Sequence, residues 1–286
     1  MRLAWLTDIH LSFCPGRFQE LLDRIDATDP DVVLIGGDVA EALDVTGYRE
    51  RFATLDRPIY FVLGNHDFYH GSIRQVRAAV EDLCRRVENL HYLSSAGVVE
   101  LTAGAALIGH DGWGDARVGD FDNSDVALND YRLIEELTGI DQQTRKRLLN
   151  ALGDEAADHV RSVLPEALER YQQVWFLTNV PPWREACWHE GRNSDADWTP
   201  HMACGAVGEA LTEIMAEHPD RSSRCSVATR TALARRRCCR ICWRSRAGRS
   251  MGGRWCREYS RLGEWVKNTT GLLPQVRHSD AASVGG

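Results

Sequence analysis

Ile59-Tyr60-Phe61-Val62-Leu63-Gly64-Asn65-His66-Asp67 is the stretch whose reading decides the fold. Five apolar residues in succession predict a buried strand, and the strand runs into a glycine followed by three polar groups capable of chemistry. Two earlier segments repeat the arrangement. Arg2 to Thr7 predicts a strand leading to Asp8-Ile9-His10, and Val32 to Ile35 predicts one leading to Gly36-Gly37-Asp38. Between them Leu21, Leu22 and Ile25 recur at helical spacing from Arg17 to Ala27. Thr28-Asp29-Pro30-Asp31 closes that helix, because proline disfavours helix at the residue before it. Strand, helix, strand implies parallel pairing.

The alternation continues. Ser72 to Val87 predicts an amphipathic helix with Ile73, Val76, Val80 and Leu83 on one face, followed by short strands near Tyr92, Val98 and Ala106 to Ile108. Asp125 to Leu137 and Gln142 to Leu168 read as helical, the second broken near Gly153; Val174 to Leu177 reads as a buried strand and Val207 to Met215 as a helix. Such an order means an α/β class. No repeat or proline-rich linker divides it, so one domain is expected from residue 1 to about 220.

A chain of 286 residues with 43% hydrophobic content can bury a sizeable core. Its net charge of −7 hides an asymmetry: residues 221 to 257 hold twelve arginines and no acid, which leaves 22 basic against 41 acidic residues elsewhere. An acidic body argues against nucleic acid as a partner. Of nine cysteines, Cys225, Cys238, Cys239, Cys242 and Cys256 crowd into the same basic stretch, and an odd count prescribes no disulfide framework. Asp8 and His10 cut the first apolar run too short for a signal peptide. No stretch approaches the roughly 18 consecutive apolar residues of a membrane span. A reducing, cytoplasmic setting with no membrane partner is the expectation.

The polar residues after the three strands form a metal-binding vocabulary. Residues two apart on an extended segment point the same way, so Asp8 and His10 can reach one cation. Asp38 has two carboxylate oxygens and can bridge two cations, and Asn65 offers a carbonyl oxygen. Two cations roughly 3.5–4 Å apart activate water and stabilise the oxygens around phosphorus, which suits hydrolysis of a phosphate ester. His66, left outside the metal set and oriented by Asp67, is then the candidate general acid.

In this order, Asp8-x-His10, Gly37-Asp38 and Gly64-Asn65-His66-Asp67 resemble the calcineurin-like metallophosphoesterase family, over residues 1 to about 220. The resemblance implies a four-layer α/β/β/α sandwich of two mixed sheets flanked by helices. It implies two divalent metal ions such as Mn, Fe or Zn, and a small phosphomonoester or phosphodiester substrate attacked by metal-activated water. By the same resemblance Asp8, His10 and Asp38 serve the first metal, and Asp38 and Asn65 the second. His66 matches the catalytic histidine, with Asp67 its neighbour.

Two departures bear on activity. The family's later histidine falls at Asn179, in Leu177-Thr178-Asn179-Val180-Pro181-Pro182-Trp183; asparagine ligates through oxygen, more weakly than imidazole for a transition metal. The family's G-H-x-H motif should follow Asp220, yet no histidine stands between His218 and His278. Read in codons that begin at the third base, Arg221 to Ala234 is compatible with Gln-Leu-Thr-Val-Leu-Cys-Gly-His-Thr-His-Gly-Ala-Gly, a strand followed by the missing motif. The arginine- and cysteine-rich segment 221–286 is therefore read as a frameshift. Its rivals are a zinc or nucleic-acid module around Cys239-Arg240-Ile241-Cys242 and a solvated tail. Loss of these imidazoles predicts a weakened second metal site and impaired turnover. The alternative is a non-catalytic descendant that binds a phosphorylated ligand or a protein.

Other histidines stay open at this level. His110 can line a phosphate pocket or serve structurally. His189 in the loop from Trp188 to Trp198, and His201 just after it, belong to a candidate lid or substrate wall, while His70, His91, His159 and His218 read as surface positions.

Overall fold

A computed structural model describes residues 1–189, 192–227, 237–238 and 241–242, and in it the apolar runs become two sheets packed face to face. Strands β1 (Leu3–Leu6), β2 (Val32–Ile35), β3 (Ile59–Phe61) and β4 (Leu90–Tyr92) are parallel and lie in that order. The second sheet is mixed: β5 (Val99–Thr102) runs antiparallel to β6 (Ala105–His110), which pairs parallel with β7 (Gln173–Thr178). A short antiparallel pair, β8 (Trp188–His189) and β9 (Arg192–Asn193), precedes β10 (Ser222–Val227), which pairs parallel with β7 at the edge. The helices are α1 (Phe18–Ala27), α2 (Val45–Phe52), α3 (Ile73–Arg86), α4 (Asp130–Leu133), α5 (Gln142–Arg170), α6 (Thr199–Met202) and α7 (Gly205–Glu217).

Strand alternation builds the layers. In β2, Val33 and Ile35 pack with Leu22 and Ile25 of α1, Phe52 of α2 and Val80 of α3, whereas Val32 and Leu34 meet Leu107 of β6 and Leu177 of β7 between the sheets. In β7, Val174 and Phe176 turn to the other side and pack with Val160 and Leu164 of α5 and Leu211 of α7. Both faces of each inner strand are buried, which is why those segments read as unbroken apolar runs. Each such side chain contributes about 1.5–3 kcal/mol by leaving water. The result is the helix, sheet, sheet, helix sandwich that the resemblance implied, with the first sheet parallel throughout and only the second mixed as expected.

Three elements differ from the sequence reading for physical reasons. Helix α5 is unbroken at Gly153, because that glycine is a contact: a Cβ there would lie 2.5 Å from the Cβ of buried Asp115. The helix expected over Asp125 to Leu137 contracts to α4 and a 3-10 turn at Glu135–Leu137. Glu136 is recruited to a distant helix start: its carboxylate accepts from Ser72 Oγ at 2.6 Å, Ile73 N at 2.9 Å and Arg74 N at 3.2 Å, covering the first turn of α3. Helix α2 is not expected from the sequence because Gly47 with Thr46, Arg49, Glu50 and Arg51 blurs its apolar spacing.

Strand β10 begins beyond residue 220, where the regular domain was expected to end, and its register from Ser222↔Gln173 to Val227↔Thr178 matches β7 residue for residue. Of the rest of the segment expected to be aberrant, only 237–238 and 241–242 are described, as a short antiparallel pair; Cys239, Cys256 and residues 228–234 of the shifted-frame stretch lie outside the described residues. Among the described residues no helix is long and apolar enough to cross a membrane.

Burial opposes ionisation of Glu136, but the Ser72 hydroxyl and the amides of α3 outweigh it and hold the carboxyl below its ordinary value. A carboxyl lowered by folding stabilises above its unfolded pKa of about 4.3, and that contribution is lost as pH falls through the folded value. Glu136→Gln is expected to cost about 1 kcal/mol at neutral pH in urea unfolding. The gap from the parent chain should close as pH drops below about 4; an equal gap at pH 7 and pH 3 would contradict the cap.

Candidate metal centre

Strands β1, β2 and β3 release their chains at one edge of the first sheet, and the following loops run side by side. Asp8 N donates to Gly37 O at 3.3 Å, His10 N to Asp38 O at 2.9 Å and Leu11 N to Val39 O at 2.7 Å. Asp8 (φ 51°), His10 (φ 50°) and Asp38 (φ 54°) all adopt left-handed backbone, as does Gly37 at φ 98°. Side-chain-bearing residues rarely do so, and each costs of order 1–3 kcal/mol and persists because its surroundings impose it. Gly64 has a different reason to be glycine: a Cβ there would collide with Asp38 Oδ1. The absent side chain lets the Asp38 carboxylate lie against the third loop, where it accepts from His66 N at 3.0 Å.

One donor atom each from His10, Asp38 and His66 fall within 4.8 Å of one another, all three residues buried. The two imidazoles meet edge to face with centroids 4.5 Å apart. Two imidazoles and a carboxylate fit a divalent transition metal. His66, expected outside the metal set, thus stands beside His10 and Asp38, and Asp8, expected with them, is not part of this cluster. The alternation argument requires extended backbone, but β1 ends at Leu6 and both Asp8 and His10 are left-handed. Asp8, half-buried, accepts from Thr7 Oγ1 at 2.7 Å.

The asparagines are held through their amide nitrogens. Asn65 Nδ2 donates to Asp130 Oδ1 at 2.8 Å and to Tyr69 Oη at 3.3 Å, which leaves its carbonyl oxygen as the group available to a cation. Asn179, at the end of β7, is brought over Gly37 and Gly64, beside Asp38. There its Nδ2 donates to Gly36 O at 2.9 Å while its backbone N–H donates to Asp111 O at 3.2 Å.

Asp67 does other work than orienting His66. Its Oδ1 accepts from Val39 N (2.9 Å) and Ala40 N (3.0 Å), and its Oδ2 from Asp38 N (3.0 Å), Gly64 N (2.9 Å) and Arg49 Nη2 (3.2 Å). Carboxylate and guanidinium are 0% and 1% exposed. Burial raises the Asp67 carboxyl pKa and lowers that of Arg49, each opposed by the other's charge. Five donors on two oxygens match the ionised form.

Sequence reasoning missed Arg49, Asp111, Tyr69 and Asp130, because none sits in a motif or on an apolar stripe. Asp111 is the bridge between sheets: Oδ1 accepts from Leu63 N at 2.7 Å and Ser94 Oγ at 2.8 Å, and Oδ2 from Arg77 Nε at 3.1 Å and from Tyr92 Oη. Its neighbour His110 resolves as structural. Burial pushes its imidazole down to about 3, its Nδ1 accepts from Gly112 N at 3.1 Å, and its ring lies 5.2 Å from that of His159. His159 and His91, read as surface positions, are half-buried, the latter stacked on Tyr60. His201 is occupied at both nitrogens by Tyr131 Oη and Ser124 Oγ, and burial pushes it down to about 4. The side chain of His189 lies outside the described residues.

Residues 1–204 match the calcineurin-like phosphoesterase family, and the chain belongs to it. The family is one of metal-dependent phosphoester hydrolases. A Caenorhabditis elegans protein, F40B5.2, a metallophosphoesterase by name, is 33% identical over 79 residues, 26% of this chain and 16% of that protein. A Danio rerio protein named as a transmembrane protein with a metallophosphoesterase domain is 34% identical over 80 residues, 26% of this chain and 18% of its own length. The matched stretch thus spans less than a fifth of either relative. One crystal structure aligns with a TM-score of 0.52 at 10% identity, over 86% of this chain and 90% of that one, a likeness of fold.

Removing one partner of a buried ion pair strands the other, at about 3–5 kcal/mol. Asp67→Ala should lose stability on that scale in urea unfolding; a loss under about 1 kcal/mol would show that the loops hold without it.

Proposed function

We propose that this chain is a metal-dependent hydrolase of small phosphomonoesters or phosphodiesters whose turnover is impaired by an incomplete second metal site. The convergence of His10, Asp38 and His66 at the ends of three parallel strands carries the reading. Asp38 and Asn65 would contribute oxygens to the second cation, with Asn179 where the family has a histidine. Asp8 would reach the first cation only from the rim of the cluster. A bound divalent cation, Mn, Fe or Zn by family, would activate water and draw charge from the phosphoryl oxygens. With the cation held by His10 and Asp38, His66, fixed at its backbone by Asp38 and packed at its ring against His10 and Tyr69, would be left to hold the proton for the departing oxygen. The odd cysteine count, without a disulfide framework, supports a reducing, cytoplasmic setting.

Asn179 motivates the second reading, a non-catalytic binder of phosphorylated ligands. Its amide nitrogen is already committed to Gly36 O, so one weak oxygen remains for a metal.

Elemental analysis after loading with Mn2+ and desalting should find at most one tightly held metal per chain, with feeble hydrolysis of a generic phosphodiester. Asn179→His should raise metal affinity and turnover by about tenfold or more. Two tight metals and robust turnover in the parent would overturn the impairment; binding of inorganic phosphate with no gain in hydrolysis from Asn179→His would favour the non-catalytic reading.

A further inference from the structure

We infer that residues 130–136 brace the loop carrying Asn65 and His66, and that Asp130 is a positioning residue that turns the Asn65 carbonyl toward the metal centre. This rests on the metal-centre reading above. Asp130 opens α4, is 5% exposed and stands 65 positions from Asn65 in sequence. Its Oδ1 accepts from Asn65 Nδ2 at 2.8 Å and from Tyr69 Oη at 2.7 Å, and Asn65 Nδ2 also reaches Tyr69 Oη at 3.3 Å. An asparagine amide presents a donor at one end and an acceptor at the other. An ionised carboxylate only accepts, so it fixes which end faces it. With Asp130 in place the NH2 group is drawn toward α4 and the carbonyl oxygen is turned away from it. Tyr69 carries the same arrangement to His66, its ring 4.3 Å from the imidazole centroid.

The segment is anchored by groups other than the Asp130 side chain. His70 N donates to Leu133 O at 2.7 Å, Glu135 N to Gly71 O at 3.0 Å, and Gly71 and Ile134 form a parallel bridge. Glu136 adds its bonds to Ser72 and Ile73. These anchors hold α4 against the site loop, so the Asp130 carboxylate can be altered while the backbone around it stays supported.

The test is calorimetric titration of the full chain with Mn2+, together with thermal melting, for Asn65→Ala, Asp130→Ala, their double variant, Asp130→Asn and Asp141→Ala. Asp130→Ala should weaken Mn2+ binding by about tenfold or more, as loss of a group supporting a metal ligand commonly does. It should add little once Asn65 is alanine, because residues that act as a unit are non-additive. Asp130→Asn keeps an accepting oxygen and should recover most of the affinity, while Asp141→Ala, which removes the N-terminal cap of α5, should lower the melting temperature and leave Mn2+ affinity unchanged. If Asn65→Ala leaves Mn2+ binding untouched, the assignment of Asn65 to the metal falls and this inference with it. If Asn65→Ala weakens binding and Asp130→Ala does not, or if the two effects add, the brace alone is overturned.

Discussion

The Asp67 carboxylate joins the loop after β2 to the loop after β3, and the geometry of the site follows from that junction. Four backbone amides from two loops and one guanidinium from α2 converge on its two oxygens. Hydrogen bonds to a charged group contribute about 1.5–3 kcal/mol each when well made. Desolvating the two charges offsets part of this, so Asp67 and Arg49 are better understood as specifying a shape than as a large net source of stability. What they specify is where Asp38 and His66 stand, since each lies next in sequence to a group bound to or bearing that carboxylate.

The strain in the neighbouring loops has its counterpart there. Three polar residues held at left-handed φ would relax in an isolated peptide. Here the first loop is clamped to the second by three backbone hydrogen bonds, and the second is clamped by Asp67. Gly37 and Gly64 then allow backbone and carboxylate to approach where any side chain would intrude.

The strands that form the two sheets were legible as apolar runs because both faces of each are buried, and the residues after them were legible because parallel strands collect their carboxyl ends at one edge. Asp8, His10, Asp38, Asn65, His66 and Asn179 could be picked out on that ground. Which of them cluster and the work of Asp67 were not legible, since both depend on backbone turns after Leu6 and Ile35 that no periodicity reveals. Long-range partners such as Asp130 to Asn65 and Glu136 to Ser72 were equally hidden: they lie more than sixty residues apart and belong to a segment with weak helical spacing. Gly153 misled for a simpler reason, as a glycine that breaks a helix and one that admits a neighbour look alike in one dimension.

Because the loops are tied by a carboxylate and a guanidinium, the shape of the site is paid for before any cation arrives. A zinc finger, by contrast, folds with the free energy of its metal and unravels when a ligand is lost. A scaffold organised as this one is can carry an asparagine at position 179, its amide tied to Gly36 O, and bury its core without help from a metal. A change at one ligand position can then alter what the site holds and leave the architecture that presents it standing.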